Sequence, residues 1–202
     1  TANATDAVQR IVGIVRQLSF LNINSRLHRT PCQLGDLLQG AIERFRHESG
    51  VSPPVAVENP LGDLAIDTHV EMFEDAVGKI LLNAWEAYGE RPAAERRICL
   101  RTELVGEPSS RSLRLSIEDA GRGIDPEVSD QLFEPFISTK RTVGVGMGLT
   151  VARHALRNLG GDVTIQNRPG GGAIAVLLHP LEKRRTQEDD SRAPFAMQPP
   201  AG

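Results

Sequence analysis

Three short motifs follow one another between residues 119 and 149: Asp119-Ala120-Gly121-Arg122-Gly123-Ile124, then Phe133-Glu134-Pro135-Phe136-Ile137-Ser138-Thr139-Lys140, then Gly144-Val145-Gly146-Met147-Gly148-Leu149. Glycine at this density marks backbone that must approach a ligand closely or take positive φ. An acid opens the first cluster and a helix-like run follows the last. The stretch therefore reads as the base end and the phosphate end of one nucleotide.

Working outward, Leu113, Leu115 and Ile117 alternate with Arg114, Ser116 and Glu118, the period of a half-buried strand that delivers Asp119 at its end. Arg97 to Leu104 reads as its partner across a Gly-Glu-Pro-Ser-Ser turn. Upstream, Val70, Phe73, Val77, Ile80, Leu81 and Ala84 recur at helical spacing. Thr68 and Glu71 stand at capping-box spacing, which predicts a helix from near Thr68 to about Tyr88. A second helix is expected from Leu34 to Glu48, closed by Gly50, and a short strand at Val55 to Val57. Downstream, a helix starts near Gly148 and stops at Gly160-Gly161, and a hairpin pairs Asp162–Gln166 with Ala173–Leu178. Strands and helices alternate irregularly, which predicts an α+β sandwich with helices on one sheet face. The ends differ from this centre. Asp6 to Asn22 carries a narrow apolar stripe, like a coiled-coil seam, with a break around Asn24 to Pro31. From Lys183 on, the chain is charged, proline-bearing and aperiodic, which reads as a disordered tail.

The chain has 202 residues, enough for one well-buried domain plus appendages. Forty per cent are hydrophobic and 24% charged, and the formal net charge is -3, so nothing points to a nucleic-acid partner. Arg96, Arg97 and Arg101 read as solvated strand faces. Cys32 and Cys99 are too few for a disulfide scaffold and lack zinc-ligand spacing, as expected of free thiols in a reducing compartment. Surface or helix-face positions account for His28, His47, His69, His154 and His179. No membrane-length apolar run and no signal peptide is visible, and the start at Thr1 reads as a fragment of a longer protein.

Each motif has a chemical and a plain reading. A strand-end carboxylate before Gly-x-Gly can accept a hydrogen bond from an exocyclic amine; Asp and Gly also simply form turns. Glycines at alternate positions leading into a helix leave N–H groups free for an anion, or form a flexible loop. This is neither a P-loop, lacking Gly-Lys-Ser/Thr, nor a dinucleotide fingerprint, lacking a preceding strand and correct spacing. Lys79, Asn83 and Glu86 share a helix stripe, and an amide oxygen there is a hard ligand suited to magnesium, or an ordinary polar residue at a buried helix's edge. Phe133 and Phe136 can anchor a loop, with Ser138, Thr139 and Lys140 facing the anion site.

Together, in this order, the Asn-Ala helix, Asp-x-Gly-x-Gly-Ile, Phe-x-Pro-Phe-x-Ser-Thr-Lys and Gly-x-Gly-x-Gly-Leu resemble the catalytic and ATP-binding domain of bacterial sensor histidine kinases. That family belongs to the gyrase–chaperone–kinase–MutL ATPase superfamily. The resemblance runs from about Gln33 to Leu181, roughly three quarters of the chain. It implies a Bergerat-type two-layer sandwich, with a mixed sheet and helices on one face, over residues 30–182. Residues 1–29 would be the end of a dimerisation helix with its linker, and 183–202 a tail. It implies ATP and magnesium as ligands and transfer of the γ-phosphoryl group to a histidine on the dimerisation domain. By resemblance, Asp119 holds the adenine amine, and Gly121, Gly123 and Ile124 shape its pocket. Asn83 binds magnesium. Ser138, Thr139, Lys140, Gly144, Gly146, Gly148 and Leu149 surround the phosphates, with a short lid between Lys140 and Gly144. Asn83 and Lys140 are the catalytic assignments.

Three departures from the family pattern matter. Lys79 stands where a second Asn is usual, and where the hydrolytic members carry a glutamate base; a lysine there could instead touch a phosphate. Val145 replaces a Thr or Ser. The acceptor is missing: His28-Arg29-Thr30-Pro31 lacks the acidic neighbour and spacing of an acceptor box, so the acceptor is expected before Thr1. The implied partners are the protein's own histidine-acceptor domain in a homodimer and a response-regulator receiver domain. The implied setting is the cytoplasm, with any membrane attachment outside this chain. Two rival readings are a nucleotide-binding regulatory module without kinase activity and an anti-sigma-type protein serine kinase.

Overall fold

Phe73, Ala76, Val77, Ile80 and Leu81 lie on one face of a helix and are all but fully buried, so this helix is the organising element. The computed structural model describes residues 28–62, 64–135 and 146–181. Its elements are β1 (Thr30–Gln33), α1 (Leu34–Ser49), β2 (Val55–Glu58), β3 (Ala65–Thr68), α2 (Val70–Glu86), β4 (Ile98–Val105), β5 (Ser112–Asp119), α3 (Gly148–Asn158), β6 (Asp162–Asn167) and β7 (Ala173–Pro180). Single 3-10 turns stand at Ala93–Glu95 and Pro126–Gln131.

The main sheet has the order β2-β4-β5-β7-β6. β2 runs parallel to β4 and the other pairs are antiparallel. Alternation decides its two faces. Leu113, Leu115, Ile117 and Asp119 of β5 point under the helices, as do Leu100 and Thr102 of β4 and Ala175 and Leu177 of β7. The opposite face carries exposed ion pairs such as Arg101–Glu58 at 2.7 Å and Arg114–Glu103 at 2.9 Å. Such solvent-screened pairs add little to stability. The fold is thus the two-layer Bergerat-type α/β sandwich, with helices over one face of a mixed sheet. α1 packs on α2 and α2 on α3, while α2 lies over β4 and β5. α1 and α2 approach closely at Gly78, where a Cβ would stand 3.3 Å from the Ala41 carbonyl and from Arg44 Cβ. Each large apolar side chain sealed between these layers contributes about 1.5–3 kcal/mol.

Several expectations need correction. α2 is not capped by Thr68. That residue closes β3, fully buried and paired with Thr30 of β1, so its backbone is committed to a strand. The cap is His69, whose Nδ1 accepts the Met72 N–H at 3.3 Å. α2 also ends at Glu86, before Tyr88. His179 is neither on the surface nor on a helix: it is buried in β7, its ring edge-to-face with Phe73 at 5.6 Å. Arg96 is more than a solvated side chain. It covers the Trp85 ring at 4.4 Å and donates to the carbonyls of Trp85, Gly89 and Arg91. The two-stranded sheet β1-β3 has too few residues to show a period in sequence.

Both cysteines are free and half-buried. Burial is the first cause that raises both thiols above their ordinary value, helped by nearby carboxylates, which makes them poor nucleophiles at neutral pH. Among the described residues no helix is long and apolar enough to cross a membrane. The expected helix at Asp6–Asn22, the residues Phe136 to Val145 and the tail from Lys183 lie outside the described residues.

Candidate functional site

A cavity of about 500 Å³ opens between the last turns of α2 and the ends of β5 and β7. Ile80, Asn83, Ala84 and Ala87 form its helical wall, and Ile117, Asp119, Ala173 and Ala175 its floor. Arg122 to Pro126 and Val128 enclose one side. The lining mixes apolar side chains with the polar groups of Asn83, Asp119, Arg122 and Asp125, a combination that can fix the orientation of a small molecule.

Asp119 reaches this floor because β5 places every second side chain under the helices, and the last of them is an acid. It is 5% exposed. Its Oδ1 accepts the Gly121 N–H at 2.8 Å and, more weakly, the Ala173 N–H at 3.4 Å. Burial is the largest influence and raises its pKa. The Gly121 and Ala173 amides and the charge of Arg168 oppose it. A carboxyl group held this way, nearly buried on the cavity floor, is stabilised by any further N–H donor that reaches it.

The two glycines after it are required by packing. A Cβ on Gly121 would stand 2.8 Å from backbone and Cβ of Ala87. Gly123 has φ +74, and a Cβ there would sit 2.7 Å from Asn167 Oδ1. Asn167 in turn brackets Ile124: its Oδ1 accepts the Ile124 N–H at 2.7 Å and its Nδ2 donates to the Ile124 carbonyl at 2.9 Å. The Arg122 N–H donates to the Ala87 carbonyl at 3.0 Å. The loop is thus strapped to the end of α2 on one side and to β6 on the other.

Asn83 is half-buried on the cavity wall, and Glu86 is exposed one turn on. Lys79 does not join them. Its ammonium lies 3.4 Å from Glu48 of α1 and 3.5 Å from Asp75, and its side chain is only 10% exposed. Gly146 has φ +69 and leads to Met147 and Gly148, which open α3, with Leu149 half-buried behind them. The Met147 side chain has no oxygen with which to cap the first-turn amides of α3, and among the described residues no side chain caps this helix start. Phe133 packs against the core, with the Arg153 guanidinium 4.5 Å over its ring. Ser138, Thr139, Lys140 and Gly144 lie outside the described residues. Among the described residues there is no group of three or more His, Cys, Asp or Glu side chains able to hold a metal.

Three contributors were not singled out in the sequence. Asn167 lay just past the expected strand Asp162–Gln166, Gly172 in the turn that follows it and Tyr88 at the end of a helix. Yet Gly172 has φ +77, and a Cβ on it would stand 2.1 Å from the Asp119 carbonyl. Tyr88 bonds the backbone beside Asp119. Only proximity in space reveals these roles.

A sequence profile of the family described as "Histidine kinase-, DNA gyrase B-, and HSP90-like ATPase" matches residues 69–183. This chain belongs to that family. The ATPase-family match begins at His69, the cap of α2, and takes in every residue that lines the cavity. The two-component sensor PprA of Pseudomonas aeruginosa is 31% identical over 181 residues, which are 86% of this chain and 19% of PprA. Among solved structures, the mycobacterial sensor histidine kinase MprB superposes with a TM-score of 0.61 at 22% identity, over 76% of this chain and 98% of that one. Full-length ShkA in complex with AMPPNP superposes with a TM-score of 0.63 at 24% identity, over 89% of this chain and 37% of that one. These two likenesses show the fold. The chain spans between 16% and 33% of the length of the first curated relatives it matches.

Proposed function

We propose that this chain is the ATP-binding catalytic domain of a sensor histidine kinase, and that it presents the γ-phosphoryl group of ATP to a histidine on a dimerisation domain. The observation that carries the reading is Asp119: a nearly buried carboxyl group on the floor of a cavity, followed by two glycines that let the next loop pack closely against Ala87 and Asn167. The adenine amine would donate to this carboxylate. Gly121, Gly123 and Ile124 would line the ring. The opening turn of α3 at Gly146, Gly148 and Leu149, with Ser138, Thr139, Lys140 and Gly144, would receive the phosphates. The complex of ShkA with AMPPNP supports a nucleotide in this fold.

Asn83 is the described side chain that would hold magnesium. The fit is reasonable, since its carboxamide oxygen is a hard donor on the cavity wall, and magnesium takes few protein oxygens beside phosphates and waters. Bound there, the ion would supply charge neutralisation. Lys79 cannot act as a base toward water, engaged as it is with Glu48 and Asp75, which fits transfer to another domain better than hydrolysis. Phosphoryl transfer asks mainly for positioning and neutralisation of charge. The reading takes 30–182 as the catalytic domain, 1–29 as the end of a dimerisation helix and 183–202 as a tail. It places the domain in the cytoplasm, in a homodimer that passes the phosphoryl group to a receiver domain.

Calorimetric titration with AMPPNP and magnesium tests the first half. Asp119→Asn turns one carboxylate oxygen into a donor facing the amine, and the loss of a charged hydrogen bond should weaken affinity by about tenfold or more. Unchanged affinity would refute the adenine assignment. Acid-labile phosphorylation of a supplied acceptor hairpin tests the second half; an acid-stable product, or none, would refute histidine transfer.

A further inference from the structure

We infer that Tyr88 is a positioning residue for base recognition, holding the Asp119–Ala120 backbone so that the Asp119 carboxyl group is aimed into the cavity. The inference rests on the nucleotide reading proposed above and adds a residue to it. Tyr88 follows α2 and is 6% exposed. Its hydroxyl oxygen accepts the Ala120 N–H at 2.8 Å and the Arg97 N–H at 3.0 Å, and its O–H donates to the Arg97 carbonyl. A phenol has one donor and two acceptor sites, so all its capacity is spent on main chain. It joins three elements: the end of α2, the residue before β4 and the residue after β5.

The opposite side of the Ala120 residue is held from the same place. Arg91 Nη1 donates to the Ala120 carbonyl at 2.9 Å, while its guanidinium lies 5.3 Å over the Tyr88 ring. Ala120 therefore has both backbone groups engaged by side chains that follow α2. Asp119 itself is held by β-structure, through Arg168 on its carbonyl at 2.8 Å and the Ala173 amide on its carboxylate. Without the Tyr88 hydroxyl, the peptide joining Asp119 to Ala120 keeps only the Arg168 grip on its carbonyl, and the relation of Asp119 Oδ1 to the Gly121 N–H that orients it loosens. The effect belongs to the exocyclic amine, since Asp119 is the group that would meet it.

The test compares two nucleotides by calorimetry: ATP, and purine riboside triphosphate, which has hydrogen where ATP carries the amine. Tyr88→Phe keeps the ring and removes the three bonds. It should weaken ATP about 3–10-fold, leave the amine-less nucleotide unchanged, and add no further loss in an Asp119→Asn background. Equal loss for both nucleotides, or additive loss with Asp119→Asn, would show a merely structural role and overturn the inference. So would unchanged ATP affinity. Should Tyr88→Phe unfold, Arg91→Gln removes the other grip on Ala120 from an exposed position; amine-specific loss there supports the inference, and its absence overturns it. Failure of the underlying reading looks different: the unmodified chain would not bind ATP, or Asp119→Asn would leave binding intact.

Discussion

Gly172→Ala should cost about 3 kcal/mol of stability, far more than the same change two residues earlier at Gly170. At Gly172, φ is +77, and the new Cβ would stand 2.1 Å from the Asp119 carbonyl oxygen, 2.7 Å from Ala120 Cα and 2.8 Å from Asp119 carbonyl carbon. All three are backbone atoms at the end of β5, so no side chain can turn aside. The β6–β7 turn and the end of β5 must part by roughly 1 Å before the contact becomes tolerable. Positive φ at a non-glycine residue costs about 1–2 kcal/mol, and such overpacking about another 1–3 kcal/mol. Gly170 is the control: its φ is +90, but a Cβ there meets nothing within 4 Å, so only the conformational cost applies. The difference, about 2 kcal/mol, isolates the contact with Asp119. With a urea dependence near 2 kcal/mol per molar, the midpoint for Gly172→Ala should fall about 1 M below that for Gly170→Ala. Equilibrium unfolding followed by circular dichroism reads this directly. Equal midpoints, or a larger loss at Gly170, would refute the argument that the turn presses on the strand end. Nucleotide affinity should follow the same order, since the Ala173 amide on Asp119, already 3.4 Å long, would be the first bond to break.

Asp162 should stabilise the fold in a pH-dependent way. Burial raises its carboxyl pKa, but hydrogen bonds from Arg153, Arg157 and the Val163 amide outweigh it and bring the value to about 2. A depressed value means stability present above the unfolded value near 3.8 and lost as pH falls toward 2. The side chain is 43% exposed, so after screening Asp162→Asn should cost only about 1 kcal/mol at pH 7 and almost nothing near pH 2; a penalty independent of pH in denaturant titrations counts against the ion pairs. Asp119 behaves oppositely. Its raised value means stability that is full below about 3.8 and lost as pH rises through the folded-state value, so Asp119→Asn at pH 7 should melt at or above the unmodified chain while binding nucleotide less well. A lower melting temperature would show that the carboxylate is structurally required. Lys79→Gln should change nucleotide affinity less than twofold and lower stability by about 1 kcal/mol, because its partners are Glu48 and Asp75; a tenfold loss of affinity in calorimetry would place its ammonium at the phosphates after all.

Much of this was legible in advance. The helix at Val70–Glu86, the strand that ends in Asp119, the helix opened by Gly148 and the final hairpin all carry strong local periods, and they stand where those periods put them. The start of α2 was misread because Thr68 and Glu71 satisfy a capping pattern that Thr68 cannot use while its backbone pairs with Thr30. Cap chemistry is local, but strand pairing with a residue 38 positions away is not. The surroundings of Lys79 were hidden for a similar reason: its stripe on α2 is local, but the carboxylate of Glu48 beside it comes from the packing of α1.

Residue order alone was enough to establish the three helices, the strands of the main sheet, the acid at a strand end and the glycines of the loop after it. These follow from backbone sterics and from periods of 2 and 3.6, which act over a few residues. Tertiary structure decided which groups converge on that acid. Tyr88 and Arg91 grip the following peptide from the end of α2, and Asn167 and Gly172 complete the loop from the far hairpin. A hydrogen bond or a backbone contact across 29 to 53 residues leaves no period to read, since it exists only once the two layers have packed.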